Sequence, residues 1–295
     1  MIESNLTCKL SGKVALVTGG AKRVGRAIVL ELARAGCDIA VHYRSSASEA
    51  EETAASARAL GRRASLVVGD LTDPAAWPAI IKRAVGELGR LDILVNNASL
   101  FDPTVAIAAE LGDAGGALSH FRAGPRAECN PEVSGASVTS RSSRPEAVAA
   151  IGFDSAEWDR TMRVNAVAPA ALAYYARPHL AADGCGRIIN LCDISAERPW
   201  PHYLAYCASK AALVALTRGL ARAFAPRITV NGVSPGIAVF PEEYPAALRE
   251  KIVSRVPLAR EGTPEEVARL VRFLAESGDY ITGQIISIDG GRNVT

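Results

Sequence analysis

The stretch KVALVTGGAKRVGRAIVLELARA, residues 13–35, combines an apolar run, a glycine-rich turn and a helical segment. Residues 13–18 are an apolar run typical of a buried strand, and residues 26–35 have the composition of a helix. The turn between them is rich in glycine, and Gly19 and Gly25 stand six positions apart. Backbone N–H groups in such a turn, together with the helix N-terminus, attract a pyrophosphate. The stretch therefore predicts a phosphate-binding unit, with a plain tight turn as the alternative.

Strands and helices continue to alternate after this unit, which predicts an α/β fold with a parallel sheet and helices on both of its faces. We expect the further strands at residues 38–43, 63–68, 92–95, 187–192, 228–233 and 284–288. We expect the further helices at residues 47–60, 74–88, 156–180, 203–225 and from 264 onward. Ser155, Thr263 and Asp73 are good N-caps for three of these helices.

The composition is that of an ordinary globular protein, because 49% of the 295 residues are apolar and 22% are charged. A net charge of +2 gives no reason to expect nucleic acid as a partner. Four histidines and six scattered cysteines without a C-x-x-C pair predict no metal site. The N-terminus does not have the order of a signal peptide, and no run approaches the ~20 apolar residues of a membrane span. We expect a cytoplasmic protein with reduced thiols and no contact with membranes.

The alternation predicts one domain over residues 1–295, interrupted by an insertion at residues 104–152. Within the insertion, residues 112–145 are rich in Gly, Ser, Ala and Pro and show no periodicity. Compact domains seldom contain structureless loops of more than ~15 residues. We therefore expect a flexible surface insertion, either disordered or a lid, and its few apolar residues favour disorder.

Polar residues follow several of the expected strands, and the carboxyl ends of parallel strands share one crevice. Arg44 follows the second strand, where NAD-binding proteins usually have a carboxylate, and an arginine there accommodates a 2′-phosphate. The residues thus favour NADP over NAD, with a solvated Arg44 as the alternative. Asp70 after the third strand either accepts a hydrogen bond from an adenine amino group or caps a helix, a role that Asp73 serves better. Asn97 after the fourth strand faces the same crevice.

The stretch IINLCDISAERPWPHYLAYCASKAAL, residues 188–213, carries the candidate chemistry. Tyr206 and Lys210 stand four apart on an expected helix, so they share one face, and Asp193 lies just past the preceding strand. A nearby cation lowers the pKa of a phenol, which suits proton transfer near neutral pH. The spacing alone is also compatible with an amphipathic helix and a solvated lysine. Asn165 lies in the middle of a helix, where its low helix propensity hints at a special role.

Several motifs together resemble the short-chain dehydrogenase/reductase family: T-G-x-x-x-x-x-G at residues 18–25, Asn96-Asn97-Ala98, Asn165, Tyr206-x-x-x-Lys210 and Pro235-Gly236. The resemblance implies one doubly wound, Rossmann-type domain with a seven-stranded parallel sheet, assembled as a homotetramer. It implies that Tyr206 donates a proton, that Lys210 binds the nicotinamide ribose and lowers the pKa of Tyr206, and that Asn165 supports a proton-relay water.

The resemblance and the crevice together give a set of cofactor-binding residues for NADPH: Gly19, Lys22, Arg23, Val24, Gly25, His42, Tyr43, Arg44, Ser45, Asp70, Leu71, Asn97, Ala98, Ser99, Tyr206, Lys210, Pro235, Gly236 and Ile237. The residue after Ile237 is Ala238, where a hydroxyl-bearing residue is common in the family.

Two departures from the common family pattern narrow the range of activities expected within the family. Asp193 stands where most members have the catalytic serine, and Arg23 stands where most have glycine. With HYRS at residues 42–45, Ser99-x-Phe101 and ERP at residues 197–199, the chain is similar to the pteridine reductases. That resemblance implies that Phe101 stacks a pterin against the nicotinamide, with plain core packing of Phe101 as the alternative. The expected catalytic residues are Asp193, Tyr206, Lys210 and Asn165, and the expected substrate-binding residues are Arg23, Ser99, Phe101, Asp193 and Tyr206.

Three functions follow from these residues. The first is NADPH-dependent reduction of dihydropterins such as dihydrobiopterin or dihydromonapterin, with dihydrofolate as a further candidate. The second is carbonyl reduction of a 3-oxoacyl thioester or a small ketone. The third is a non-catalytic NADP-binding sensor or scaffold. Ser195, two residues past Asp193, is an alternative catalytic hydroxyl that we do not favour, because side chains two apart beyond a strand end need not share a face.

Overall fold

The structure, a computed structural model, describes residues 10–101, 154–180, 182–240 and 244–294. The expected insertion at residues 104–152 lies outside the described residues. The strands are Val14–Val17 (β1), Asp38–Tyr43 (β2), Ala64–Val68 (β3), Ile93–Asn96 (β4), Gly186–Leu191 (β5), Ile228–Pro235 (β6) and Ile285–Ile288 (β7). The α-helices are Arg23–Arg34 (α1), Ala47–Ala59 (α2), Ala76–Leu88 (α3), Ser155–Met162 (α4), Ala168–Leu180 (α5), Leu204–Phe224 (α6), Ala246–Val253 (α7) and Pro264–Glu276 (α8).

Over the described residues, the seven strands form one parallel sheet in the order β3-β2-β1-β4-β5-β6-β7. The predicted doubly wound α/β fold is therefore confirmed. The strand order reverses direction between β1 and β4, and ligands of such sheets bind outside the carboxyl ends of the strands at that point. The glycine turn after β1 and the Asn96-Asn97 pair at the end of β4 lie on the two sides of this switch.

The core consists of two apolar layers, one on each face of the sheet. On one face, Ile28 and Leu32 of α1 pack against Val271 and Leu274 of α8. On the other face, α3, α5 and α6 contribute side chains such as Leu172. Because β1 is covered on both faces, all four of its residues are fully buried, which accounts for its unbroken apolar run.

The helix expected at residues 156–180 is interrupted by a π-helical turn, Arg163–Val167, that contains Asn165. The N-cap of this helix lies one position before the expected one. Asp154, and not Ser155, is the N-cap, because its carboxylate accepts hydrogen bonds from the N–H groups of Ala156 (2.9 Å) and Glu157 (3.2 Å). A π-turn adds one residue to a helical turn and is frequent at functional sites.

The start of α3 also differs from the expectation, since the helix begins at Ala76 rather than at residue 74. Asp73 accepts a hydrogen bond from the N–H of Ala75 (2.9 Å) and so stabilises the turn ahead of the helix instead of capping it. Among the described residues, no helix has the length and apolar character needed to cross a bilayer. Within the same residues, no three His, Cys, Asp or Glu side chains group as metal ligands would.

The last helix begins with a complete capping box. The Thr263 hydroxyl accepts from the N–H of Glu266 (3.2 Å), and the Glu266 carboxylate accepts from the N–H of Thr263 (2.9 Å). Pro264 occupies the first helical position, where its missing N–H is not needed. This confirms the cap that the sequence predicts.

We predict that Thr263→Ala lowers the free energy of unfolding by about 1 kcal/mol, because the capped N–H loses its acceptor. Urea unfolding followed by circular dichroism measures the change. Ser277→Ala at the other end of α8 is the matched control, since its exposed side chain leaves the backbone bond to Phe273 intact. Equal stability of the Thr263→Ala variant and the wild type would contradict the assigned role.

Candidate active site

The glycine turn after β1 is held by the end of β4. Asn97 Nδ2 donates to the carbonyl oxygens of Thr18 (2.9 Å) and Gly19 (3.1 Å), and the N–H of Asn97 donates to Thr18 Oγ1 (2.9 Å). Gly19 has φ +62°, and a Cβ added at Gly25 would lie 2.0 Å from the Gly19 carbonyl oxygen. Only glycine fits at residue 25, and the Asn97 side chain is used to shape the turn.

His42 holds the same turn from the other side. Its Nδ1 accepts from the N–H of Gly19 (3.2 Å) and its Nε2 contacts the Gly69 carbonyl oxygen (3.2 Å), so the ring carries its proton on Nε2. Burial lowers the pKa of His42 to about 4, and the ring is neutral at physiological pH. The sequence placed His42 among the cofactor-binding residues. Its ring instead bonds backbone atoms of two loops, so it positions the turn.

The basic residues of the expected cofactor site are exposed around the turn. Lys22 pairs with Glu49 (2.5 Å), while Arg23 begins α1 with φ +49°. This left-handed conformation costs a residue with a Cβ about 1 kcal/mol, and such strain is concentrated at functional positions. Arg44 is exposed at the end of β2. Burial raises the pKa of Asp70, but the hydrogen bonds from Thr72 and, to a smaller extent, the charge of Arg44 lower it overall.

One carboxylate oxygen of Asp70 is used within the turn after β3, and acceptance from an adenine amino group by Asp70 stays a prediction. Its Oδ1 accepts from both the N–H and the hydroxyl of Thr72 (2.8 Å each), so Asp70 stabilises the turn after β3. The remaining expected cofactor residues lie along the same edge of the sheet: Val24, Tyr43, Ser45, Leu71, Ala98, Ser99, Pro235, Gly236 and Ile237. A Cβ at Gly236 would lie 2.9 Å from Asp289, so this glycine permits close approach of two loops.

The Asn165 side chain fixes the loop after β4. Its Oδ1 accepts from the N–H of Leu100 (2.8 Å) and from the Ser99 hydroxyl (3.1 Å). Its Nδ2 donates to the Leu100 carbonyl oxygen (2.9 Å) and to Ser209 Oγ (3.0 Å). The amide is thus fully engaged with protein atoms, and it ties α6 to the loop that leads to Phe101. Support of a relay water by Asn165 stays a prediction.

Tyr206, Asp193 and Lys210 meet at the carboxyl end of β5. The Tyr206 hydroxyl donates to Asp193 Oδ2 (2.9 Å), and Asp193 Oδ1 accepts from the N–H of Ser195 (2.7 Å). Lys210 Nζ donates to the Leu191 carbonyl oxygen (2.8 Å) and lies 5.6 Å from the centre of the Tyr206 ring. The three side chains expected to carry the chemistry are therefore brought together.

Burial dominates the electrostatics of this group. It raises the pKa of Asp193, against the lowering effects of the Ser195 N–H and of Lys210. Burial, followed by the adjacent Asp193, raises the pKa of Tyr206 well above its ordinary value. The pKa of Tyr206 is thus shifted in the direction opposite to the one expected from Lys210, and burial is the main cause. Burial also lowers the pKa of Lys210.

A cavity of about 320 Å³ opens onto Tyr206 and Asp193. Aromatic rings dominate its wall, and the Phe101 ring stacks on Tyr203 with centroids 4.5 Å apart and 6° between the planes. Phe101 is 38% exposed, so it does not belong to the buried core. Sequence reasoning missed further lining residues, namely Trp200, Tyr203, Val239, Phe240, Tyr244, Ile252 and Arg292. Two substrate residues expected from the sequence, Arg23 and Ser99, do not line this cavity.

This arrangement places a buried tyrosine bonded to a carboxyl group beneath an aromatic cavity, at the same edge of the sheet as a glycine turn that begins a helix. It defines a dinucleotide-dependent oxidoreductase. A family model described as short chain dehydrogenase matches residues 13–114, and one described as enoyl-(acyl carrier protein) reductase matches residues 138–293. The chain belongs to the short-chain dehydrogenase/reductase family.

Solved structures and curated relatives agree with this assignment. The chain is 32% identical to FolM alternative dihydrofolate reductase 1 from Brucella canis complexed with NADP, with a TM-score of 0.77 over 97% of this chain and 96% of that one. It is also 32% identical to a blue fluorescent protein from a metagenomic library in complex with NADPH (TM-score 0.75, 96% and 99% covered). The 3-oxoacyl-[acyl-carrier-protein] reductase FabG of Staphylococcus aureus is 30% identical, over 95% of this chain and 97% of that protein.

We predict that His42 makes the folded state less stable in acid. Its pKa falls from 6.5 in the unfolded chain to about 4 in the fold, so between these values only the unfolded state binds the proton. The stability is present above pH 6.5 and is lost as pH falls towards 4, which amounts to about 2.5 kcal/mol between pH 7.5 and 4.5.

Urea unfolding of the wild type and His42→Asn at both pH values measures this effect. The wild type should lose about 2.5 kcal/mol more than the variant over this interval, and the exposed His179→Asn serves as the control. Parallel pH dependence in the wild type and His42→Asn would show that His42 is not the group responsible.

Proposed function

We propose that this protein is an NADPH-dependent reductase that converts dihydropterins to their tetrahydro form. The observation that carries the proposal is the hydrogen bond between Tyr206 and the buried carboxyl group of Asp193, at the floor of an aromatic cavity. Reduction of a ring C=N bond needs hydride at carbon and a proton at nitrogen. A carboxyl group with a raised pKa carries a proton at a pH where an ordinary aspartate has lost it.

NADP(H) fits the residues present at the carboxyl edge of the sheet. The glycine turn leads directly into the N-terminus of α1, an arrangement that attracts a pyrophosphate, and the exposed Arg44 at the end of β2 is a suitable cation for a 2′-phosphate. Gly19, Gly25 and Arg23 would hold the phosphates, and Lys210 would hold the nicotinamide ribose. The bound cofactor supplies the hydride. The crystallised relatives with NADP and NADPH support this cofactor.

The chain's own residues would bind, orient and protonate the substrate. The Phe101 ring and the other aromatic side chains of the cavity offer flat faces to a heteroaromatic ring. Tyr206 would deliver its proton to the substrate. A protonated Asp193 would then replace it, with the 2.9 Å hydrogen bond that Tyr206 donates reversed in direction. The proposal includes a homotetramer in the cytoplasm, which rests on the family resemblance and on the composition.

A second candidate function is carbonyl reduction of a 3-oxoacyl thioester or small ketone. The 30% identity to the Staphylococcus aureus FabG protein favours it, because Tyr206 and Lys210 suit a carbonyl oxygen as well as a ring nitrogen. The two functions differ in the role of residue 193. A ring nitrogen needs a proton that a carboxyl group can relay, whereas a carbonyl oxygen can be held by a hydroxyl group.

We predict turnover of dihydropterins and slower or no turnover of acetoacetyl thioesters in a side-by-side assay. NADPH oxidation with dihydrobiopterin, dihydromonapterin, dihydrofolate and an acetoacetyl thioester measures kcat/KM for each substrate. The highest kcat/KM should belong to a pterin. Turnover confined to the thioester would reject the proposal in favour of carbonyl reduction.

We predict that Asp193→Asn lowers kcat for a dihydropterin about 10²-fold, because the amide keeps the contact to Tyr206 and cannot supply a proton. NADPH affinity, measured by fluorescence titration, should change little, since Asp193 lies away from the phosphate turn. Asp193→Ser is the second variant, with the residue most common in the family at this position. Full pterin turnover by Asp193→Ser would remove Asp193 from the mechanism.

A further inference from the structure

One face of α2 contacts the glycine turn and the start of α1. Residues 49, 53 and 56 are about one helical turn apart and therefore lie on this face. Glu49 pairs with Lys22 (2.5 Å), and the Ser56 hydroxyl accepts from Arg26 Nη2 (3.4 Å). Thr53 lies between these two exposed contacts and is fully buried. The middle of this face is therefore removed from water.

The Thr53 hydroxyl makes a hydrogen bond that is unusual for a threonine inside a helix. Such hydroxyls commonly bond the carbonyl oxygen three or four residues earlier in their own helix. Thr217 of α6 follows this rule, since its Oγ1 donates to the Leu213 carbonyl oxygen (2.7 Å). Thr53 Oγ1 instead donates to the carbonyl oxygen of Ala21 in the glycine turn (2.9 Å). The hydroxyl thus serves the turn and not its own helix.

This bond orients the peptide unit between Ala21 and Lys22. In a trans peptide the C=O and the N–H point to opposite sides. Because the Ala21 carbonyl oxygen is directed at α2, the N–H of Lys22 is directed away from α2. Lys22 is the N-cap residue of α1, and its side chain makes no capping hydrogen bond. Backbone N–H groups at such a helix start attract phosphate.

The first three residues of the turn are anchored one after another. His42 Nδ1 accepts from the Gly19 N–H (3.2 Å), and the His42 carbonyl oxygen accepts from the Gly20 N–H (2.9 Å). Ala21 follows, and Thr53 anchors it from α2. Without the hydroxyl, a buried carbonyl oxygen would lose this donor, and the peptide would turn to find another. The orientation of the Lys22 N–H therefore depends on Thr53.

We propose that Thr53 is a positioning residue for the cofactor, which holds the peptide between Ala21 and Lys22 so that the Lys22 N–H donates to a phosphate of NADPH. Thr53 acts through this peptide and needs no contact of its own with the cofactor. The role concerns NADPH alone, so it holds for a dihydropterin and for a carbonyl substrate alike. Loss of the Thr53 hydroxyl therefore affects the affinity for NADPH and not the choice of substrate.

The test is the Kd for NADPH, measured by fluorescence titration in the wild type, Thr53→Val and Thr53→Ser. Valine keeps the branched shape of threonine and removes the hydroxyl. A hydrogen bond to a charged partner is worth about tenfold or more in affinity. The Kd should therefore rise about tenfold in Thr53→Val, because the N–H loses its alignment. Thr53→Ser keeps a hydroxyl and should bind NADPH nearly as tightly as the wild type.

Thr217→Val is the matched control. Thr217 is as fully buried as Thr53, and its hydroxyl bonds Leu213 and Asn190, neither of which belongs to the turn. Urea unfolding compares the stability that the two valine variants lose, and both are titrated with NADPH where they are fully folded. A Kd that rises in Thr53→Val alone supports the role. An unchanged Kd in Thr53→Val, or an equal rise in Thr217→Val, would overturn it.

A measurement on the wild type alone covers the case in which Thr53→Val does not fold. Nitrogen-15 NMR follows the amide signal of Lys22 while NADPH, or adenosine as a ligand without phosphate, is added. A hydrogen bond to a phosphate oxygen moves an amide proton downfield. The Lys22 signal should therefore move downfield with NADPH and keep its position with adenosine. A Lys22 signal that does not move when NADPH binds would overturn the inference.

Discussion

The hydrogen bond from Tyr206 to Asp193 joins a phenol and a carboxyl group that are both removed from water. Burial disfavours a negative charge on either group, so the pair holds its protons more tightly than the free side chains do. Lys210 lies close by, and its ammonium donates a hydrogen bond to the Leu191 carbonyl oxygen. In the proposed function, this pair at the end of β5 acts as a proton store.

The rest of the fold positions this store relative to the cofactor turn. Asn97 and His42 hold the glycine turn from two sides, and both bond backbone atoms. Asn165 connects α6, which carries Tyr206, to the loop after β4, which carries Phe101. Hydrogen bonds thus fix the glycine turn, the loop that carries Phe101 and the helix that carries Tyr206 around the switch point of the sheet.

Most of the fold follows from local sequence patterns, because an apolar run between turn residues specifies a buried strand nearly by itself. Each strand boundary lies within two residues of its expected place, and the meeting of Asp193, Tyr206 and Lys210 follows from the rule that carboxyl ends of parallel strands share one edge. Polar side chains were harder to assign. The His42 ring bonds backbone atoms because of the geometry of the glycine turn. No spacing of residues in the sequence indicates that geometry.

The cavity wall and the direction of the Tyr206 pKa depend on tertiary structure. Trp200 and Tyr203, Phe240 and Tyr244, and Arg292 come from three separate segments that converge only in the fold. The i, i+4 spacing correctly placed Lys210 beside Tyr206, but it could not show which acceptor the ammonium takes. Burial also depends on every element packed around the phenol, and here burial decides the sign of the shift.

In the proposed function Asp193 holds a proton beside Tyr206, and titration of the Asp193 carboxyl carbon tests this assignment. Carbon-13 NMR of protein labelled at the aspartate carboxyl groups would follow each resonance with pH, and Asp193→Asn would identify the signal of residue 193. We expect this signal to report a carboxyl pKa above the ordinary aspartate value of 3.8. Titration at or below 3.8 would show an ionised carboxylate and would contradict the proposed proton store.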